Sequence, residues 1–352
     1  TTTTSMVATV LETAGIDPTV INGGIINNYG TNARLGEGDW MVVEADESDG
    51  TFVKLPATIA VVTNLDAEHL DFYGTFEAEK AAFRTFLERV PFYGAAVLCV
   101  DHPEVQALIS HLQGRKYITY GLSGQADVRA VNLVSAAGNV TFDVDVRSRV
   151  SGDIRKIEGI SMSMPGMHNV QNALAAIAVA LEMQVSDEVL KKAFKNFGGV
   201  KRRFTKTGEV DSITIIDDYG HHPVEISAVL KAASDAFEGR VLAVVQPHRY
   251  SRLESLFEEF CTCFNDADAV IVSPVFEAGE KPIDGFNRDT LVEGIRAHGH
   301  HMVEALESLS ELAKMINARA KPGDVVICLG AGSITNWAND LPAQLLKLRN
   351  KK

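Results

Sequence analysis

Short apolar runs rich in Val, Ile and Ala recur along this chain at residues 40–45, 59–63 and 95–100, with helically spaced stretches such as 76–88 between them. Apolar runs alternating with helices are the pattern of a parallel sheet covered by helices. Between about residues 128 and 164 the period changes to strict alternation, as in Val140-Thr141-Phe142-Asp143-Val144, broken by Gly138-Asn139 and Ser151-Gly152-Asp153. That predicts a small antiparallel insert built of hairpins. Helical spacing returns at 169–183 and again from Ser186, then stops at Gly198-Gly199 before the basic run Lys201-Arg202-Arg203. A glycine pair after a helix reads as its stop and as a domain linker. Beyond it, strand-like runs at 212–216, 241–245, 269–272 and 325–329 alternate with helices, a second α/β unit of Rossmann type. The expected organisation is α/β throughout, with a central domain over residues 1–199 and a C-terminal Rossmann-like domain over 200–352. The opening Thr1-Thr2-Thr3-Thr4 leads straight into a helix with Met6, Val7, Val10, Leu11 and Ala14 on one face. It reads as an element cut at its front.

Length agrees with two domains, because 352 residues exceed the roughly 250–300 at which single cores stop growing. With 46% apolar and 22% charged residues the composition is that of a soluble protein, and no apolar run approaches the roughly 20 residues of a membrane span. The net charge of −13 excludes a surface that tracks a nucleic-acid backbone, so any nucleotide partner is small and held by a local basic cluster. Cys99, Cys261, Cys263 and Cys328 match neither zinc spacing nor a disulfide framework and are expected as buried thiols in a reducing, cytoplasmic setting.

Candidate chemistry gathers where strands end, the place at which open α/β sheets bind ligands. Asp217-Asp218-Tyr219-Gly220-His221-His222-Pro223 follows the run 213–216 and opens a helical pattern at Pro223. Two carboxylates and two imidazoles there suggest a site, with a solvated strand-to-helix loop as the alternative. Glu44-Ala45-Asp46-Glu47-Ser48-Asp49 and Thr63-Asn64-Leu65-Asp66-Ala67-Glu68-His69 place oxygen donors at two further strand ends. Such donors suit Mg²⁺ shared with substrate phosphates, although an acidic run can equally be a solvated loop. Asn169 and Asn172 open a helix whose start can face an anion or a base edge. His248, Arg249 and Arg252 lie within one turn, where two guanidinium groups can share a carboxylate. Gly330-Ala331-Gly332-Ser333 is a tight turn and a weak phosphate signal.

In order along the chain, Thr1 to Met6, Asn22-Gly23-Gly24, Glu44 to Asp49, Thr63-Asn64 with His69 and Asp71, Pro91-Phe92-Tyr93-Gly94, His168-Asn169 with Asn172, Arg202-Arg203-Phe204, Asp217 to Pro223 and Gln246 to Arg252 resemble the Mur ligases of bacterial cell-wall synthesis nearly end to end. The resemblance implies a UDP-binding domain outside this sequence, a central ATPase domain of the P-loop mononucleotide-binding type and a C-terminal domain that brings the amino acid. The opening threonines look like the end of the family's phosphate loop, whose lysine falls before Thr1. The implied reaction uses ATP and Mg²⁺ to phosphorylate the carboxylate of UDP-N-acetylmuramate, and the amine of L-alanine then displaces phosphate. By motif position, Thr1 and Thr2 would hold nucleotide phosphate, Thr1 and Glu44 one Mg²⁺, and His69 a second. Asn169 and Asn172 would hold adenine, Asp218 the ribose, and Arg203 would reach the ATP phosphates across the domain gap. His221, His248, Arg249 and Arg252 would orient L-alanine, with Arg203, His221, Arg249 and Arg252 as the groups nearest the chemistry.

Two departures from the family pattern stand out. Sister ligases carry a carbamylated lysine six residues after the position of Glu77, where this chain has Phe83, and Glu68-His69 replaces a frequent Asp-His. Alternatives are the family's recycling branch, which joins a tripeptide to the same UDP-sugar, and a non-catalytic nucleotide-binding fragment. A nicotinamide dehydrogenase is disfavoured, because no glycine fingerprint with a following acid comes after a first strand.

Overall fold

In the computed structural model, which describes residues 1–136 and 138–350, the chain divides into two compact units. The first holds Thr1–Val134, Asn139–Ser163 and His168–Val200; the second runs from Lys201 onward and includes Met164–Met167 and the tip of one hairpin.

The first unit opens with the helix Thr2–Thr13, in which Met6, Val7, Val10 and Leu11 are buried as their spacing predicts. Its other side is buried too. Ser5 and Thr9 return their hydroxyls to the carbonyls of Thr1 and Ser5 (2.8 and 2.9 Å), so polar side chains enter the core already satisfied. Strands β1 (Thr19–Ile26), β2 (Thr31–Arg34) and β3 (Met41–Val43) form a small sheet in the order β2-β1-β3, with β1 antiparallel to β2 and parallel to β3. A six-stranded sheet follows in chain order: β4 (Ile59–Val62), β5 (Ala95–Cys99), β6 (Tyr117–Gly121), β7 (Val128–Ala136), β8 (Asn139–Arg147) and β9 (Ile154–Met162). β4 to β7 are parallel, and β8 and β9 pair antiparallel. The segment expected as a small antiparallel insert thus continues the sheet of β4 to β6: β7 pairs parallel with β6 and buries Val128 and Ala130 at its start. The helix Met167–Glu182 is buried on every side from Ala173 to Ala180, and its alanines permit the close approach this requires.

The second unit contains β10 (Thr205–Val210), β11 (Ile213–Asp218), β12 (Val241–Val245), β13 (Ala269–Val272), β14 (Val303–Ala305) and β15 (Val325–Leu329), ordered β10-β11-β15-β12-β13-β14. All neighbours are parallel except β10 with β11. The last strand enters between β11 and β12, so the carboxyl ends of β11, β15 and β12 lie side by side. All residues of β12 and β15 are buried, as expected for strands covered by helices on both faces. The four cysteines are buried free thiols.

Leu98, fully buried in β5, tests the packing of the first unit. Leu98→Ala lowers unfolding free energy in urea by about 2–5 kcal/mol, whereas Leu35→Ala, at a side chain 88% exposed, changes it by about 0.5 kcal/mol or less.

Candidate functional site

In the first unit the end of β3 delivers Glu44 to the start of the first helix. The Thr1 hydroxyl donates to Glu44 Oε1 at 2.8 Å, and Gly23 N–H donates to Oε2 at 2.6 Å. A Cβ at Gly23 would come to 2.9 Å from the Glu44 carboxylate, which would have to shift to admit it. Against its burial, the Gly23 N–H and the Thr1 hydroxyl, both donating to it, favour the ionised Glu44 carboxylate. Thr1, Glu44, Val43 and Thr63 line a cavity of about 500 Å³. The buried Thr2 sits in the first turn, and Thr3 donates to Asn172 Oδ1 at 2.8 Å. Asn172 Nδ2 in turn reaches Asn169 Oδ1 at 3.4 Å, so the two asparagines form one polar row with the opening threonines.

His69 lies in the loop between β4 and Leu70. It adopts a left-handed conformation (φ +54°) after β4, and its Nε2 lies 3.5 Å from Glu47 Oε1. Donor atoms of Glu47, Glu68 and His69 all lie within 4.8 Å of one another, a set with the composition of a divalent-cation site. Beneath them Glu79, 1% exposed, accepts the Glu68 N–H at 3.3 Å. Burial, with Glu47 and Glu68 nearby, pushes its carboxyl up to about 7 against the pull of His69. Phe83 packs on Phe52 with ring centroids 5.1 Å apart, so the position of the sister enzymes' carbamylated lysine is apolar here.

In the second unit the carboxyl ends of β11, β15 and β12 carry the functional side chains. Asp218, 4% exposed, accepts the Gly220 and Phe204 N–H groups, each at 2.7 Å, and burial raises its carboxyl to about 6 despite Arg203. Asp217 accepts the Thr335 hydroxyl at 2.5 Å. Arg202 donates to the Gly330 carbonyl at 2.7 Å and to those of Ala331 and Gly332 at 3.4 and 3.3 Å, clamping the glycine turn that follows β15. The Tyr219 ring lies beneath both the Arg202 and Arg203 guanidinium groups, at 4.6 and 5.1 Å. His221 meets Tyr219 edge-on, His248 approaches His221 with centroids 5.9 Å apart, and His248 stacks on Phe276 at 5.3 Å. Arg249 is exposed with φ +71° and sits at the N-cap, outside its helix, while Arg252 lies inside it and reaches the His248 carbonyl at 3.5 Å. The structure thus brings Arg203, Asp218, His221 and His248 into one polar cluster and keeps Arg249 and Arg252 beside it. Sequence reading missed Arg202 and Glu225; the second was signalled only by its place three residues after His222, at the position a capping box requires.

A family model for the Mur ligase middle domain matches residues 1–180, and one for the "Mur ligase, glutamate ligase domain" matches residues 202–332. The chain belongs to the Mur ligase family. It is 65% identical over 345 residues to a UDP-N-acetylmuramate–L-alanine ligase of Rhodospirillum centenum, covering 98% of this chain and 71% of that protein. A crystal structure of UDP-N-acetylmuramate-alanine ligase from Thermotoga maritima superposes with a TM-score of 0.79 at 26% identity, over all of this chain and 74% of the other. A murein peptide ligase from Psychrobacter arcticus shares the fold at 23% identity, with a TM-score of 0.67 over 98% of this chain and 75% of its own. Mur ligases are ATP-dependent ligases, and no helix among the described residues is long and apolar enough to cross a membrane.

His248 offers a pH test of the second unit. Burial first, then His221, Arg252 and Arg249, push its imidazole down from 6.5 to about 4. The unfolded chain therefore binds the extra proton between these values, so the stability His248 contributes is present above 6.5 and is lost as pH falls towards 4. Thermal melts of His248→Gln across that window show a shallower loss of Tm with acidification than the parent.

Proposed function

We propose that this chain carries out the ATP-dependent joining of L-alanine to UDP-N-acetylmuramate. The observation that carries the reading is the identity of 60–65% across 98–100% of the chain with curated relatives that bear this name. In the proposed reaction a carboxylate oxygen of the UDP-sugar takes the γ-phosphoryl group of ATP, giving an acyl phosphate and ADP. The uncharged amine of L-alanine then attacks the acyl carbon, and the tetrahedral intermediate expels phosphate and loses the amine proton as the amide forms.

Little of this is covalent work for the protein; it is placement and charge neutralisation. Thr1 and Thr2 are proposed for the nucleotide phosphates, and Asn169 and Asn172 for the edge of an adenine. Asp218 is proposed for the ribose: its oxygens keep lone pairs beyond the two backbone N–H groups they accept. Arg203, held over Tyr219, answers the spreading phosphoryl charge. His221, His248, Arg249 and Arg252 are proposed for L-alanine, the arginines for its carboxylate and the ring pair for its amino end. Hard oxygen donors on Thr1 and Glu44, and the Glu47, Glu68 and His69 group, fit Mg²⁺, which would add positive charge beside the phosphates. Glu79, its carboxyl pushed up by burial, lies against this group and accepts the Glu68 N–H.

The test is phosphate release by this chain within its natural full-length protein, given ATP, Mg²⁺ and UDP-N-acetylmuramate, with L-alanine or the recycling tripeptide in parallel. Release that depends on L-alanine alone is the expected result. Dependence on the tripeptide places the chain in the recycling branch, and no release with either removes the ligase reading.

A further inference from the structure

Glu225 contacts both Arg203 and His221 of the second unit's cluster, and nothing in the reaction just described uses it. It is the third residue of the helix Pro223–Ala236 and completes a capping box with His222. Its Oε2 accepts the His221 and His222 N–H groups at 3.0 and 3.2 Å and lies 3.4 Å from His221 Nδ1. Its Oε1 lies 3.7 Å from Arg203 Nη1. His221 Nδ1 also faces the Tyr219 carbonyl at 3.0 Å. Both neighbours of that nitrogen are acceptors, so Nδ1 carries the hydrogen.

We propose that Glu225 is a positioning residue, resting on the ligase reading above: one carboxylate ties the Arg203 guanidinium to the His221 imidazole and sets phosphate recognition and amino-acid recognition as a single rigid piece. Helix capping does not explain a charged group here, because glutamine serves a capping box as well as glutamate. Stability does not explain it either, since the half-buried side chain keeps 38% of its surface exposed and a partly solvated ion pair is worth little. What the charge supplies is geometry. Glu225 orients the imidazole through Nδ1, as a carboxylate orients a catalytic histidine, and holds Arg203 at the Tyr219 ring. Burial would raise its carboxyl; the His221 and Arg203 charges and the two backbone N–H groups reverse this and hold it below the ordinary range.

E225Q separates the roles, since Gln keeps the cap and loses the charge. In the full-length enzyme, E225Q lowers kcat/KM for L-alanine about tenfold, leaves the KM for UDP-N-acetylmuramate within about twofold, and melts close to the parent. A variant matching the parent in alanine kcat/KM overturns the proposal. A second readout needs no activity. His221 faces Glu225 on its own segment, His248 from the loop after β12, and, through Tyr219, Arg203 from the segment before β10. In an NMR titration the His221 midpoint moves to lower pH in E225Q, and an unmoved midpoint overturns the proposal. If the parent releases no phosphate with L-alanine, the ligase reading falls and the titration alone decides the role of Glu225.

Discussion

Backbone groups just past the carboxyl ends of parallel strands have no ladder partner, and a buried unpaired N–H or C=O costs as much as a lost hydrogen bond. In this protein the side chains that meet that need are largely those of the candidate site. Arg202 takes the carbonyls of the glycine turn after β15, Gln246 takes the Ile334 N–H, Asp218 takes Gly220 and Phe204, and Glu225 takes His221 and His222. The first unit repeats the device with Glu44 on Gly23 and with Asp101 on the N–H groups of Leu122 and Ser123. Polar residues at strand ends are therefore fixed by the fold before any ligand arrives.

That arrangement has a chemical consequence. Carboxylates and guanidinium groups held by backbone need little reorganisation when a phosphoryl group develops charge, and this preorganisation is the main contribution a phosphoryl-transferring protein can make. It also separates two kinds of carboxylate. Glu225 is held ionised by N–H groups and nearby cations, whereas Glu79 and Asp218 are pushed upward by burial.

Strands buried on both faces were legible in the sequence: β12, β13 and β15 have the expected boundaries, because an unbroken apolar run has no other comfortable place. The strands β1, β2, β6, β10 and β14 were not marked. β10 reads Thr-Lys-Thr-Gly-Glu-Val and borrows its order from β11, β14 is three residues long, and β1 carries Asn22-Gly23-Gly24, whose glycine serves Glu44 and not the strand. Alternation at 128–164 marked the strands correctly but said nothing of which edge they join. The motifs identified the residues around His69, Asp218 and His221, since each sits in a dense polar run after a strand. Arg202 and Glu225 escaped because their roles depend on partners far along the chain or on the geometry of a cap. Phe83 shows the opposite case, a single letter that already announced an apolar contact with Phe52.

The account stands or falls on an acyl phosphate formed at the carboxylate of the UDP-sugar. Carboxylate-¹⁸O-labelled UDP-N-acetylmuramate, turned over by the full-length protein with unlabelled ATP and L-alanine, tests this by mass spectrometry of the released phosphate. The account predicts one labelled oxygen in each phosphate, carried over when the acyl–oxygen bond breaks. Phosphate free of label, with the amide still formed, would contradict it.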